Sequence, residues 1–223
     1  NWIPSVVRLG FGHENEKSGK TTMLNCLSMF IKPEMKIVSV EDTHELNLPH
    51  ENWIPSVVRL GFGHENEKSG NINLFDLLKA AVRQRPDYII VGEVRGKEAY
   101  TLFQAIATGH LGMSTIHAES VESVINRLES EPMNIPKPLI AMIDVAMVMA
   151  RTEIEGKPAR RAVTTTEFLG LNPEANRVQT EEVFSWNPKK DEFVFSTHSS
   201  LLEKHMKKIG INEEDVKREL HRR

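Results

Sequence analysis

Apolar residues recur along this chain in two periods, and the switches between them mark its elements. Leu74, Leu77, Leu78, Ala81 and Val82 fall at helical spacing and predict a helix over 73–85, stopped by Pro86. Leu24, Leu27 and Ile31 share one face of a predicted helix over 20–31. Residues 88–91 (YIIV) form an unbroken apolar run, the pattern of a strand covered on both faces. A second short buried strand is expected at 36–40 (KIVSV), running into Glu41-Asp42, and a β-branched strand at 53–60. Helices are expected at 97–108 and 121–130, an extended segment at 113–116 and a central strand at 143–149. Strands alternating with helices imply a doubly wound α/β core.

The texture changes after Arg151. Residues 161–170 and 177–186 are rich in Thr and Val and predict antiparallel strands, followed by a strand at 193–195 after a turn at 187–191. Two helices are expected at 199–210 and 212–223, with Gly210 as C-cap of the first and Asn212 as N-cap of the second. This region is expected to pack on the core as a C-terminal subdomain.

Composition narrows the function classes. With 223 residues the prior is one domain plus an appendage. Lys and Arg number 28 against 31 Asp and Glu, a formal charge of −3, which argues against a non-specific nucleic-acid binder. Cys26 is the single cysteine, so neither an intrachain disulfide nor a four-cysteine zinc site can form, and a reducing compartment is expected. The apolar stretch at 138–150 is too short to span a membrane, which takes ~20 residues, and carries Asp144. No basic region followed by an apolar run marks a signal peptide at the N-terminus. The chain lacks an initiator Met, so a piece of something longer is expected.

One feature of the chain is anomalous. Residues 1–19 (NWIPSVVRLGFGHENEKSG) recur without a difference at 52–70. Structural repeats normally diverge and recur three or more times. The two copies share their final Ser-Gly, after which the first continues with Lys20-Thr21-Thr22 and the second with Asn71-Ile72-Asn73. This pattern fits a tandem duplication or a splice at Ser-Gly. Residues 53–60 are expected to hold a native place in the fold. The first copy is expected as a peripheral or edge strand at 3–9, with low local order at 12–17. The other expectation is that it mimics the strand preceding a phosphate loop.

Four segments carry chemistry. Ser18-Gly19-Lys20-Thr21-Thr22 at a helix start is the second half of a Walker A loop. There, backbone N–H groups hold phosphate oxygens, Lys20 reaches the β- and γ-phosphates, and the Thr21 hydroxyl meets Mg²⁺. The full G-x-x-x-x-G-K-[ST] pattern needs Gly at position 14, where this chain has Glu14. Residues 88–93 (YIIVGE) form a Walker B pattern, an apolar strand ending in the acid Glu93. Residues 40–45 (VEDTHE) place Glu41 and Asp42 at a strand end, where one carboxylate can act as general base towards water. Residues 108–117 bring in Thr115 and the histidines His110 and His117, whose spacing is no metal signature.

In order and wording, the segments SGKTT, KIVSVEDTHELNLPHENW, LLKAAVRQRPDYIIVGEVRGKEAY and LFQAIATGHLGMSTIHAESVESVINRLE resemble the type II/type IV secretion ATPase superfamily. The match is nearest to its archaeal branch, which includes archaellum and archaeal pilus motors, and covers roughly Lys20 to the C-terminus. The resemblance implies a RecA-like P-loop NTPase core with a mostly parallel sheet, plus a C-terminal β-hairpin and helical subdomain. It implies boundaries of 1–19 for the anomalous duplicate, 20–151 for the core and 152–223 for the C-terminal subdomain.

By the same resemblance, Ser18, Gly19, Lys20, Thr21 and Thr22 would bind ATP. Thr21 and Glu93 would hold Mg²⁺, Glu41 would act as base on the attacking water, and His110 and His117 would form a histidine box. The family works as homo-hexameric rings at the cytoplasmic face of membrane assemblies, with no nucleic-acid partner and no metal other than Mg²⁺. Two departures stand out: Glu14 takes the place of the first Walker A glycine, and no segment of this sequence matches the N-terminal domain that closes over nucleotide and supplies arginine fingers, as expected of a piece of something longer. Two further readings stay open: a folded module that cannot hydrolyse ATP because its loop is broken, and a DNA-dependent motor on a related core.

Overall fold

The computed structural model describes residues 8–11, 18–59, 71–196, 198–212, 214–216 and 218. The elements run β1 (Arg8–Phe11), α1 (Lys20–Ser28), β2 (Ile37–Glu41), β3 (Trp53–Val57), α2 (Leu74–Arg83), β4 (Tyr88–Val91), α3 (Glu98–Ala107) and β5 (Leu111–Thr115). They continue with α4 (Val121–Glu129), α5 (Lys137–Ile140), β6 (Val145–Ile154), β7 (Lys157–Asn172), β8 (Arg177–Asn187), β9 (Glu192–Phe195) and α6 (Ser200–Ile209).

All nine strands join one sheet in the order β3-β2-β4-β5-β1-β6-β7-β8-β9. The six from β3 to β6 pair in parallel, and the rest add on antiparallel. β6 runs through residue 151, so the sheet is continuous where the sequence texture changes. The C-terminal strands thus extend the core sheet by direct hydrogen bonding.

The unbroken apolar strands divide their side chains between two cores. From β4, Ile89 and Val91 enter one cluster with Leu78, Leu102, Phe103, Val124 and Leu128 from α2, α3 and α4. Tyr88 and Ile90 enter the other, with Leu24, Ile31 and Met113 beneath α1. Successive side chains on a strand point to opposite faces, so four apolar residues in a row suit a sheet with helices on both sides. Among the described residues, no helix is long and apolar enough to cross a membrane.

The duplicated sequence is used twice, in different windows. From the second copy, residues 53–57 form edge strand β3. From the first copy, residues 8–11 form β1, paired in parallel with β5 on one side and β6 on the other. This corrects the expectation of a peripheral strand. A parallel sheet whose next element is a helix starting at Lys20 needs a strand ahead of that helix, and Arg8–Phe11 fills that slot. Residues 3–7 and 12–17, the rest of that expectation, lie outside the described residues.

Candidate nucleotide site

Parallel sheets present their ligand sites at the carboxyl ends of their strands. Here β2 ends in Glu41, β4 leads through Gly92 to Glu93, and β5 ends at Thr115 with His117 just beyond. These residues, with Ser18 to Thr22 at the start of α1, line one cavity of about 490 Å³.

The helix start is built to meet an anion. Gly19 holds φ 93°, ψ 18°, a left-handed conformation that costs a residue with a Cβ but not glycine. A Cβ there would also lie 2.8 Å from Cδ of Arg160. No side chain caps the N-terminus of α1, and its first turn carries no acid. The amide donors and positive dipole end are thus left for something else. Lys20 is half-buried, its Nζ 3.5 Å from the Ser18 hydroxyl. Burial lowers its pKa from the ordinary lysine value, opposed by the charges of Glu93 and Glu45. A cation in such a place gains when an anion arrives.

Glu41 is 2% exposed, yet its carboxylate is fully engaged. Oε1 accepts from the backbone N–H groups of Glu45 at 3.0 Å and Leu46 at 2.9 Å, and Oε2 lies 3.3 Å from His44 Nδ1. From the other side, Asn25 of α1 accepts from Asn47 N at 2.9 Å and donates to Glu45 O at 3.4 Å. The acidic loop is therefore tied both to its own strand and to α1. Gly92 gives Glu41 room: a Cβ at that position would stand 3.2 Å from Glu41 Cγ. That is a physical reason for glycine where many P-loop proteins carry aspartate.

Glu93 pairs with two residues at the cavity wall. Its Oε1 lies 2.9 Å from His117 Nε2, and Oε2 accepts from Arg95 Nη2 at 2.5 Å. Burial lowers the pKa of His117; Glu93 acts against this, while Lys20, Arg95 and Arg127 add to it. Thr115 donates to Gly92 O at 2.7 Å, which fixes the bend between β4 and Glu93.

Of the residues singled out from sequence, Ser18, Gly19, Lys20, Thr21, Thr22, Glu41, Glu93 and His117 come together in this cavity. His110 does not. It precedes β5, while His117 follows it, so the five-residue strand sets them at opposite ends. Its Nδ1 sits 3.1 Å from Ala105 O at the end of α3, a packing contact away from the cavity. Sequence reasoning missed Arg95 and Arg160, which also line the cavity. Arg95 was within reach, two residues past Glu93. Arg160 was not, because 157–160 carried no strand pattern.

Comparison with known proteins gives the family. The family model described as type II/IV secretion system protein matches residues 17–194. MJ1287 of the archaeon Methanocaldococcus jannaschii is 52% identical over 206 residues, covering 92% of this chain and 75% of that protein. The type IV secretion system protein PtlH of Bordetella pertussis is 38% identical over 160 residues, covering 66% of this chain and 45% of that one. Among solved structures, the VirB11 ATPase of the Brucella suis type IV secretion system, in complex with sulphate, superposes with TM-score 0.58 at 24% identity. That likeness covers 72% of this chain and 48% of VirB11 and supports the fold. The chain thus spans three quarters of one archaeal relative but less than half of the bacterial ones.

Proposed function

The chain belongs to the type II/IV secretion system protein family, and we propose that it is the ATP-hydrolysing motor core of such a system. The observation that carries this reading is the convergence of three chain segments on one cavity: the uncapped start of α1 with Lys20 and Thr21, Glu41 after β2, and Glu93 after β4.

In this reading Lys20 and the first-turn amides of α1 hold the phosphates. The hydroxyl of Thr21 and the carboxylate of Glu93 are hard oxygen donors on the same cavity, which suits Mg²⁺. Thr21 and Glu93 would hold that ion, which when bound draws charge from the terminal phosphates. Glu41, aimed by two backbone N–H groups, accepts the proton of the attacking water. Glu93 keeps Arg95 and His117 at the cavity wall, where a change in phosphate charge reaches them first. The chain would work as a homo-hexamer at the cytoplasmic face of a membrane assembly. That assembly turns hydrolysis into secretion, filament assembly or rotation. In the sequence, Glu14 stands where the Walker A pattern needs Gly and Glu16 follows two residues later, so weak ATP binding is expected of this chain.

Titration with a fluorescent ATP analogue and Mg²⁺ at low salt tests the reading. Weak but saturable binding that Lys20→Ala abolishes is the expected result. Tight binding that Lys20→Ala leaves unchanged would remove the site assignment.

A further inference from the structure

We propose that Asn25 is a positioning residue for Glu41, tying the turn of α1 that carries Thr21 to the peptide that holds the Glu41 carboxylate; this rests on the nucleotide reading of the cavity. Asn25 sits in the middle of α1, within Lys20–Ser28. Asn is a poor helix former, because its short polar side chain competes for nearby backbone groups. Here that side chain bridges two segments. Its Nδ2 donates to Thr21 O, one turn back, at 3.3 Å and to Glu45 O in the loop after β2 at 3.4 Å. Its Oδ1 accepts from Asn47 N at 2.9 Å. Both amide hydrogens and the carbonyl oxygen are thus in use. Asn25 does not line the cavity, so its effect on the reaction passes through its neighbours.

The link to Glu41 runs through a single peptide. Glu45 C=O and Leu46 N–H belong to one planar amide, whose oxygen and hydrogen point in opposite directions. Leu46 N–H donates to Glu41 Oε1 at 2.9 Å, while Glu45 O accepts from Asn25. Asn25 and Glu41 therefore grip the two ends of the same plane, and rotating it breaks both bonds. Hydrogen bonds in series also polarise one another, so each strengthens the next. From the following peptide, Asn47 N–H returns to Asn25. Apolar packing alone does not fix this arrangement. Leu46 and Leu48 are buried with Leu24 and Ile31, and those contacts hold the loop against α1 without direction. The Asn25 amide sets which peptide faces which atom. At the helix end of the link, Thr21 lines the cavity with Lys20. An anion arriving at the start of α1 is thus felt, through Asn25, by the peptide that aims Glu41.

Exchange of the Glu45 and Leu46 amide hydrogens is followed in the full chain, with and without Mg²⁺ and a saturating non-hydrolysable ATP analogue, Lys20→Ala serving as the control for binding at the cavity. In the unsubstituted chain the analogue is expected to slow both about fivefold or more. Asn25→Ala should bind the analogue within about threefold, unfold cooperatively and lose that slowing. Asn25→Asp, which keeps an acceptor for Asn47 N but as a carboxylate has no donor for Glu45 O, should lose it too. Both variants should release phosphate from Mg-ATP about tenfold more slowly, with KM within about twofold. Slowing or kcat unchanged in Asn25→Ala would overturn the assignment, as would slowing retained in Asn25→Asp. Affinity lost together with the slowing would also overturn it, since Asn25 would then serve binding or the fold. Lys20-dependent binding without slowing at Glu45 and Leu46 in the unsubstituted chain would overturn it and leave the nucleotide site standing. No Lys20-dependent binding, or no phosphate release, by the unsubstituted chain would overturn the motor reading and the Asn25 assignment with it.

Discussion

Glu41 has a structural role beside the chemical one proposed for it. Its Oε1 holds two backbone N–H groups of the loop that follows β2, and Glu41 also lines the cavity. Gln keeps an oxygen for those donors but cannot take a proton, whereas Ala leaves them without an acceptor. Glu41→Gln is therefore expected to keep nucleotide binding and fold while losing turnover, read as phosphate release beside binding. Glu41→Ala should also lower stability by about 2 kcal/mol, read in denaturant.

A second carboxylate has a different expectation. Burial raises the pKa of Asp144 from 3.8 to about 6, with Glu167 adding to the rise and Lys204 opposing it. The native state then binds the proton more tightly than the unfolded chain. Stability therefore falls as pH rises from about 4 to about 6, and the penalty is complete above that. Asp144→Asn removes it, so the variant should gain on the order of 1 kcal/mol at pH 7.5, the group being partly solvated, and about half of that at pH 5. Denaturant midpoints at the two pH values check this.

At the scale of elements, periodicity carried most of the fold. The run YIIV occupies Tyr88–Val91 as β4, and the amphipathic helix expected at 73–85 is α2, Leu74–Arg83. Asn73 caps it by accepting from Asp76 N at 3.0 Å. Gly210 ends α6 at φ 71°, and Asn212 accepts from Asp215 N at 2.9 Å, as the capping residues implied. What the pattern did not show was the length of β7. Its first residues, Lys-Pro-Ala-Arg, have neither alternation nor β-branched side chains, and only pairing with β6 makes them a strand. The signal was present in Glu155-Gly156, a tight-turn pair between two strand-like runs. His110 stands apart from the cavity for a related reason: a whole strand separates it from His117, which proximity in the sequence hid.

Packing of α3 on β5 gives a further expectation. A Cβ at Gly112 would stand 2.8 Å from Ile106 Cδ1 and 2.9 Å from Cγ1 in the main core. Gly112→Ala should cost about 1–3 kcal/mol by overpacking, read as a lower denaturant midpoint at unchanged slope.

For the whole molecule, the sheet depends on the strand that the duplication supplies. β1 joins β5 to β6, so removing residues 1–17 takes a central strand away and leaves two facing edges unpaired. The truncated chain should lose its cooperative thermal transition, with faster hydrogen exchange in β5 and β6. The sequence could show that two identical copies compete for one kind of place. It could not show that a different window of each copy would pair, because register is settled by neighbouring strands. The nucleotide is proposed to sit at the carboxyl ends of β2 and β4, against the start of α1. A crystal structure of the full chain grown with Mg²⁺ and millimolar non-hydrolysable ATP tests it most directly. Phosphate density is expected at the start of α1, in contact with Lys20 and enclosed by Glu41, Glu93 and Arg160. Nucleotide bound elsewhere, with that cavity empty of phosphate, would contradict it.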